Sequence, residues 1–262
     1  TKGVHGFLMA GIRRRLDIAK ESDHAFDRIA EFVGSAQGRC FGWVGYDQLR
    51  AHPLLDLPAQ REVAVVLPTV HWVEPEGVLA FRGVGKTAEL EWLVVPKGGL
   101  AARMESALRA PRSSSPNPGM ERAQGTSGLN RHLYRKAFDR VHAHILRGDV
   151  YELNLCREIH GALPTGWCPD AAFDQLIQRT SAPFSARLHW EGVDILCASP
   201  ERFLKREGER LISQPIKGTA KREEDAERDA AVTEALRTDP KERAENIMIT
   251  DLVRNDLSQV AR

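Results

Sequence analysis

The stretch Pro111-Arg112-Ser113-Ser114-Ser115-Pro116-Asn117-Pro118-Gly119 does most to limit how this chain can fold. It cannot bury much, and its composition is that of a flexible loop or linker. Placing a linker over residues 111–130 leaves an N-terminal α+β part at 1–110 and a C-terminal part at 131–262. At 262 residues the chain has the length of one large domain or two ordinary ones, and an apolar share of 42% suffices for a real core.

The N-terminal part carries strand-like runs at Val63-Ala64-Val65-Val66-Leu67, Gly77-Val78-Leu79-Ala80-Phe81 and Leu90-Glu91-Trp92-Leu93-Val94-Val95. Helical patterns fall at Ala25–Val33 and Leu100–Leu108. Phe41-Gly42-Trp43-Val44-Gly45-Tyr46-Asp47 mixes aromatics with two glycines, and glycine in a strand marks a bulge or a close backbone approach. Its residues read as core.

After the linker the pattern sharpens. Leu133–Arg147 holds Ala137, Phe138, Val141 and Ile145 at helical spacing, and Gly148 is a natural stop. A strand is expected at Val150–Leu155. Ala186–Trp190 and Val193–Ala198 flank Glu191-Gly192, a hairpin signal. A second turn, Arg206-Glu207-Gly208-Glu209, separates Phe203-Leu204 from Leu211-Ile212. Glu223–Leu236 reads as a solvated helix. Asp239-Pro240 supplies an N-cap and a proline at the first helical position, so a long helix is expected over Pro240–Val260. Strands and helices without strict alternation indicate an α+β fold.

Charged residues make up 28% of the chain and the formal net charge is +1. That balance argues against nucleic acid or a membrane surface as the main partner. No uninterrupted apolar run approaches the ~20 residues of a membrane span. Cys40, Cys156, Cys168 and Cys197 are scattered without a CxxC pair, as expected of reduced thiols in a cytoplasmic protein. The first residue is Thr1 rather than Met, which leaves room for an upstream piece. Val260-Ala261-Arg262 falls inside an apolar-periodic stretch without a stop signal, so the sequence reads as a fragment lacking its C-terminal part.

Three side chains carry candidate chemistry. At ~100° per residue, Met248, Ile249, Leu252, Val253 and Val260 share one face of the last helix. Glu245 lies in the middle of that face and Asp256 nearly in line with it. Asn246, Asp251 and Arg254 point elsewhere. A carboxylate in an apolar stripe needs a partner: a structural ion pair, a bound proton, or a hard cation such as Mg²⁺. Lys217 lies between Ile216 and Gly218 after an apolar strand, where Pro215 fixes the backbone and Gly218 permits a close ligand. An ordinary lysine, with a reference pKa of ~10.4, costs about 4.6 kcal/mol to neutralise at pH 7, so a nucleophilic one needs burial or a nearby cation. Glu201 follows Ser199-Pro200 at a strand end and can move a proton there. The alternatives are a structural ion pair for Glu245, an ordinary surface charge for Lys217, and a surface pairing with Arg202 or Lys205 for Glu201.

Ser199-Pro200-Glu201-Arg202, Gln214-Pro215-Ile216-Lys217-Gly218-Thr219 and Ala244-Glu245-Asn246 through Asp251-Leu252-Val253-Arg254-Asn255-Asp256-Leu257 closely resemble the chorismate-utilising enzymes. These include anthranilate, isochorismate, salicylate and aminodeoxychorismate synthases. The similarity runs from about Leu133 to the end, and more loosely over Gly42–Asp47. Gly148-Asp149-Val150-Tyr151-Glu152-Leu153-Asn154-Leu155 is similar to a family stretch in which Gln is common at the position of Glu152.

The resemblance implies an anthranilate synthase component I-like, chorismate-binding α+β fold of layered β-sheets flanked by helices, here incomplete. It also implies a Mg²⁺-dependent chorismate site. By motif position Glu201 is the acid/base, Glu245 a Mg²⁺ ligand, and Gly218 and Thr219 contacts for the substrate's ring carboxylate. No catalytic role carries over to Asp256. Lysine at position 217, where other branches generally have Ala, resembles the aminodeoxychorismate synthase component I branch. There the amine is thought to add to the ring at C2 and expel the 4-hydroxyl, after which ammonia from a glutamine amidotransferase attacks C4. Later family segments supply a further acidic metal site, so this chain alone is expected to be inactive. Anthranilate synthase or a non-catalytic family member is the alternative.

Overall fold

A computed structural model describes residues 5–52, 67–82, 89–109 and 125–261. The expected strand at 63–67, except Leu67, and the linker segment at 111–119 lie outside these residues. The chain divides into two compact units, Thr1–Ser113 and Ser114–Arg262.

In the first unit, β1 (His5–Ala10), β5 (Gly77–Arg82) and β6 (Glu89–Val94) form an antiparallel sheet in the order β1-β5-β6. A second antiparallel sheet has the order β2-β4-β3, from β2 (Arg14–Ile18), β3 (Phe41–Val44) and β4 (Val70–Glu74). Helices α1 (Ala25–Gly34) and α2 (Leu100–Arg109) match the two helical patterns in the sequence. Ile18, Ala25 and Val70 form a buried cluster on which Leu16, Ile29 and Trp72 pack.

Phe41–Val44 is a strand, but alternate side chains of it are exposed rather than core. Its glycine answers to a close approach: a Cβ on Gly42 would meet the His71 carbonyl oxygen of β4. Two buried polar side chains of this unit, Glu74 and His71, are partnered. Glu74, 1% exposed, takes Arg13 Nη1 at 3.3 Å and the Gln37 N–H at 3.0 Å. His71 Nδ1 lies 2.5 Å from Asp17 Oδ1, with its ring 4.3 Å from that of Trp43.

In the second unit, α3 (Arg131–Leu146) starts at Asn130, whose side chain accepts the Leu133 N–H. It stops at Gly148, whose φ of +76° suits glycine. The expected strand at Val150–Leu155 does not form. No described segment pairs with it, and an unpaired strand leaves its backbone groups unsatisfied.

Helix α4 (Pro169–Thr180) was not anticipated, although Pro169 and Asp170 supply a first-turn signal. It packs on a hairpin of β7 (Phe184–Trp190) and β8 (Val193–Ser199). Glu191 and Gly192 turn that hairpin with φ of +44° and +84°, both positive as a two-residue turn of this hand requires. A second hairpin pairs β9 (Lys205–Glu207) with β10 (Arg210–Ile212), so Phe203-Leu204 precedes the ladder instead of joining it.

Helices α5 (Ala226–Thr238) and α6 (Pro240–Ser258) complete the unit. Asp225 and Asp239 cap them by accepting the N–H groups of Arg228 and Glu242, at 2.9 Å each. Replacing Asp239 with alanine is expected to cost about 1 kcal/mol, read as a lower urea midpoint with an unchanged slope.

Candidate active site

The second hairpin delivers the site's central strand of backbone. β10 ends at Ile212, and the chain continues without regular secondary structure through Ser213-Gln214-Pro215-Ile216-Lys217-Gly218-Thr219. Ser213 Oγ donates to the Phe203 carbonyl at 3.0 Å and ties this segment to the one before β9. Gly218 then has φ of +78°, and a Cβ there would lie 2.7 Å from Glu242 Oε2 on α6. The backbone therefore passes close against the first turn of that helix, which only glycine allows without strain.

Glu201 reaches the same segment from the end of β8. Pro200 ends the ladder, and Ser199 Oγ closes the turn by donating to the Glu201 carbonyl at 3.1 Å and accepting the Glu201 N–H at 3.4 Å. The Glu201 side chain projects to Ile216, whose N–H it accepts on Oε1 at 3.1 Å. One carboxylate oxygen is thus anchored beside Lys217. Arg202, the next residue, places its guanidinium 4.7 Å from the centre of the Phe184 ring and packs the strand end against β7.

Lys217 is neither buried nor free in solvent. Its side chain is 23% exposed, and its ammonium donates to Glu152 Oε1 at 2.5 Å. Glu152 comes from the irregular segment after α3. The base of that segment is fixed: Asp149 Oδ2 lies 2.8 Å from His144 Nδ1 and accepts Arg147 Nε at 3.0 Å and Nη2 at 2.8 Å. The hydrogen bond with His144, then that with Arg147, holds the Asp149 carboxyl below the usual range.

Glu245 lies on the inward side of α6, 41% exposed, with Oε1 2.9 Å from Lys241 Nζ. Glu242, one turn earlier, lies 3.1 Å from the same ammonium. Hydrogen bonds to Glu245, then Glu242, hold the Lys241 amine above its ordinary value. The half-buried residues of α6 are Glu242, Glu245, Met248, Ile249, Val253 and Leu257, while Leu252, Asp256 and Val260 are exposed. The stripe is therefore rotated from the expected one toward Glu242 and Leu257.

Three separate pieces of chain meet at Gln214–Thr219. Glu201 holds Ile216, Glu152 holds Lys217, and Glu242 lies against Gly218. Glu245 stands one turn further along α6, and Thr219 is exposed. Glu152 and Glu242 were given no role from the sequence. Their signals were an acid at a position where Gln is common in the resembling family, and an acid three residues after the Asp239 cap. The arrangement offers an amine and several carboxylates around one backbone segment, suited to covalent and proton-transfer chemistry on a small polar substrate.

Among the described residues no three His, Cys, Asp or Glu side chains gather into a metal cluster. Glu242 and Glu245 nevertheless offer hard oxygen donors one helical turn apart. This donor set fits a magnesium ion, which binds through one or two protein carboxylates and keeps several waters.

The family model described as chorismate binding enzyme matches residues 6–262, and the chain belongs to that family. Anthranilate synthase component 1 1 of Haloarcula marismortui is 32% identical over 238 residues, 84% of this chain and 48% of the relative. Aminodeoxychorismate synthase component 1 of Klebsiella aerogenes is 32% identical over 237 residues, 86% of this chain and 48% of the relative. The chain thus spans about half the length of these curated relatives. The crystal structure of anthranilate synthase component I from Streptococcus pneumoniae matches 98% of this chain and 62% of its own, with a TM-score of 0.76 at 18% identity. The α+β chorismate-binding fold is thereby established. Among the described residues, no helix is long and apolar enough to cross a membrane.

Proposed function

We propose that this chain carries the amine-bearing part of aminodeoxychorismate synthase component I, which converts chorismate and ammonia to 4-amino-4-deoxychorismate on the way to 4-aminobenzoate and folate. The observation that carries this reading is the half-shielded Lys217 ammonium, held by Glu152 on the segment that Glu201 and Gly218 fix in place.

Lys217 is the nucleophile. Its amine forms a C–N bond at C2 of the ring, both ring double bonds shift by one position, and the 4-hydroxyl departs from C4. Glu201 gives that hydroxyl a proton so that it leaves as water. Ammonia then attacks C4 and releases Lys217, and the pyruvyl ether survives. Gly218 and Thr219 bind the ring carboxylate, the glycine by letting backbone approach it closely. Glu245, with Glu242 beside it, would hold Mg²⁺, which supplies charge stabilisation and orientation of that carboxylate. Ammonia comes from a glutamine amidotransferase partner, and the reaction is cytoplasmic.

The test is product identity. Protein made from its complete coding sequence, given chorismate, Mg²⁺ and ammonia, should yield a product that a lyase converts to 4-aminobenzoate. Residues 1–262 alone should yield none. Anthranilate, detected by its fluorescence, would instead establish the second reading. The names of the relatives favour that alternative as much as the first, since at 32% identity they include both synthases.

A further inference from the structure

Glu152 is the one acid at this site that the proposed reaction leaves without a task. Its carboxylate and the Lys217 ammonium are 65 residues apart in sequence and 2.5 Å apart in space. Neither is fully solvated, at 35% and 23% side-chain exposure. The placement is built rather than incidental. Gly148 turns the chain off α3, its N–H bonded to the Ile145 carbonyl at 2.9 Å, and the Asp149 N–H reaches the His144 carbonyl at 3.0 Å. The Asp149 carboxylate is then gripped by His144 and Arg147, and Glu152 projects three residues on. A glutamine at this position would keep a hydrogen bond to the amine. It would accept no proton from it.

We infer that Glu152 is the positioning residue and proton partner of Lys217: its carboxylate holds the resting amine as an aimed ammonium and takes up the proton that the amine must lose before it can attack. This inference rests on the reading of Lys217 as nucleophile. The balance closes without an outside reagent. One proton passes from Nζ to Glu152 Oε1 and frees the nitrogen lone pair. That pair forms the C–N bond while the C–O pair leaves with the hydroxyl, protonated by Glu201. When ammonia displaces the lysine, the C–N pair returns to Nζ, Glu152 gives its proton back, and the new C4 ammonium returns one proton to Glu201. The other charged groups around this pair are Glu201 at Ile216, Glu242 at Gly218, and His144, Arg147 and Asp149 at the base of the Glu152 segment.

The experiment uses protein from the complete coding sequence and reads modification of Lys217 by trinitrobenzenesulfonate across a pH series, quantified by peptide mass spectrometry. Because a nearby carboxylate favours the ammonium, Glu152→Gln should move the labelling midpoint down by about one pH unit. Glu152→Asp, which keeps the charge, should stay within about half a unit of the unaltered protein. The acidic limb of the kcat profile should move in the same direction as the labelling midpoint, with KM for chorismate little changed. An unmoved midpoint in Glu152→Gln, in protein that melts normally, overturns the inference. So does an equal shift in Glu152→Asp. If Lys217→Ala retains turnover while the Glu152→Gln midpoint still moves, the nucleophile reading fails and the pairing stands.

Discussion

Lys217→Ala is expected to stop formation of aminodeoxychorismate, with kcat lowered at least about 10³-fold in the presence of saturating ammonia. A methyl group cannot form the C–N bond, and supplying ammonia freely removes any dependence on the amidotransferase. Removing the amine also breaks the pair with Glu152. That loss concerns a partly exposed ion pair, worth about 0–1 kcal/mol, so the variant should melt close to the unaltered protein. Activity and stability therefore separate cleanly. The measurement is 4-aminobenzoate produced with an excess of the lyase, alongside a thermal melt. Turnover within a few-fold of normal would remove the covalent route, and the case for the aminodeoxychorismate branch would go with it.

How far residues alone foretold this site depends on how local each signal was. The Glu191-Gly192 turn and the Asp239-Pro240 start are set by a few neighbouring dihedrals and one side-chain hydrogen bond, and both form where expected. Val150–Leu155 has the composition of a strand, but a strand exists only with a partner, and none of the described segments supplies one. The face of α6 shows the same limit. Periodicity placed Glu245 in the middle of the apolar face but also put Leu252, Val260 and nearly Asp256 on it, all three exposed, because it averages over apolar residues without knowing where α5 packs. Glu201 and Lys217 could be singled out by motif. Their mutual placement could not, since it depends on Ile216 offering its N–H to one and on Glu152 arriving from 65 residues away to meet the other. In the second unit no described residue is fully buried, so patterns that mark a core in the sequence become half-exposed faces here.

Glu201→Gln should lower kcat by about 10²–10⁴-fold, the range for loss of a positioned acid/base. The change is chosen because of how Glu201 is anchored. The hydrogen bond from the Ile216 N–H at 3.1 Å can be accepted equally well by the amide oxygen, so the turn at Ser199 and the approach of the side chain to the Lys217 segment should persist. What disappears is the capacity to give a proton to the departing hydroxyl. KM for chorismate should then change little, because the interaction lost is made in the transition state and not in the bound ground state. The pH profile supplies a second check. If Glu201 is the acid, the limb of the kcat profile that reports its deprotonation vanishes in the variant, whereas the labelling midpoint of Lys217 keeps its dependence on Glu152. Measuring kcat and KM for both proteins across the pH range decides the matter. A kcat within about three-fold of normal, with that limb intact, would mean that the proton comes from another group and that Glu201 serves only to brace Ile216.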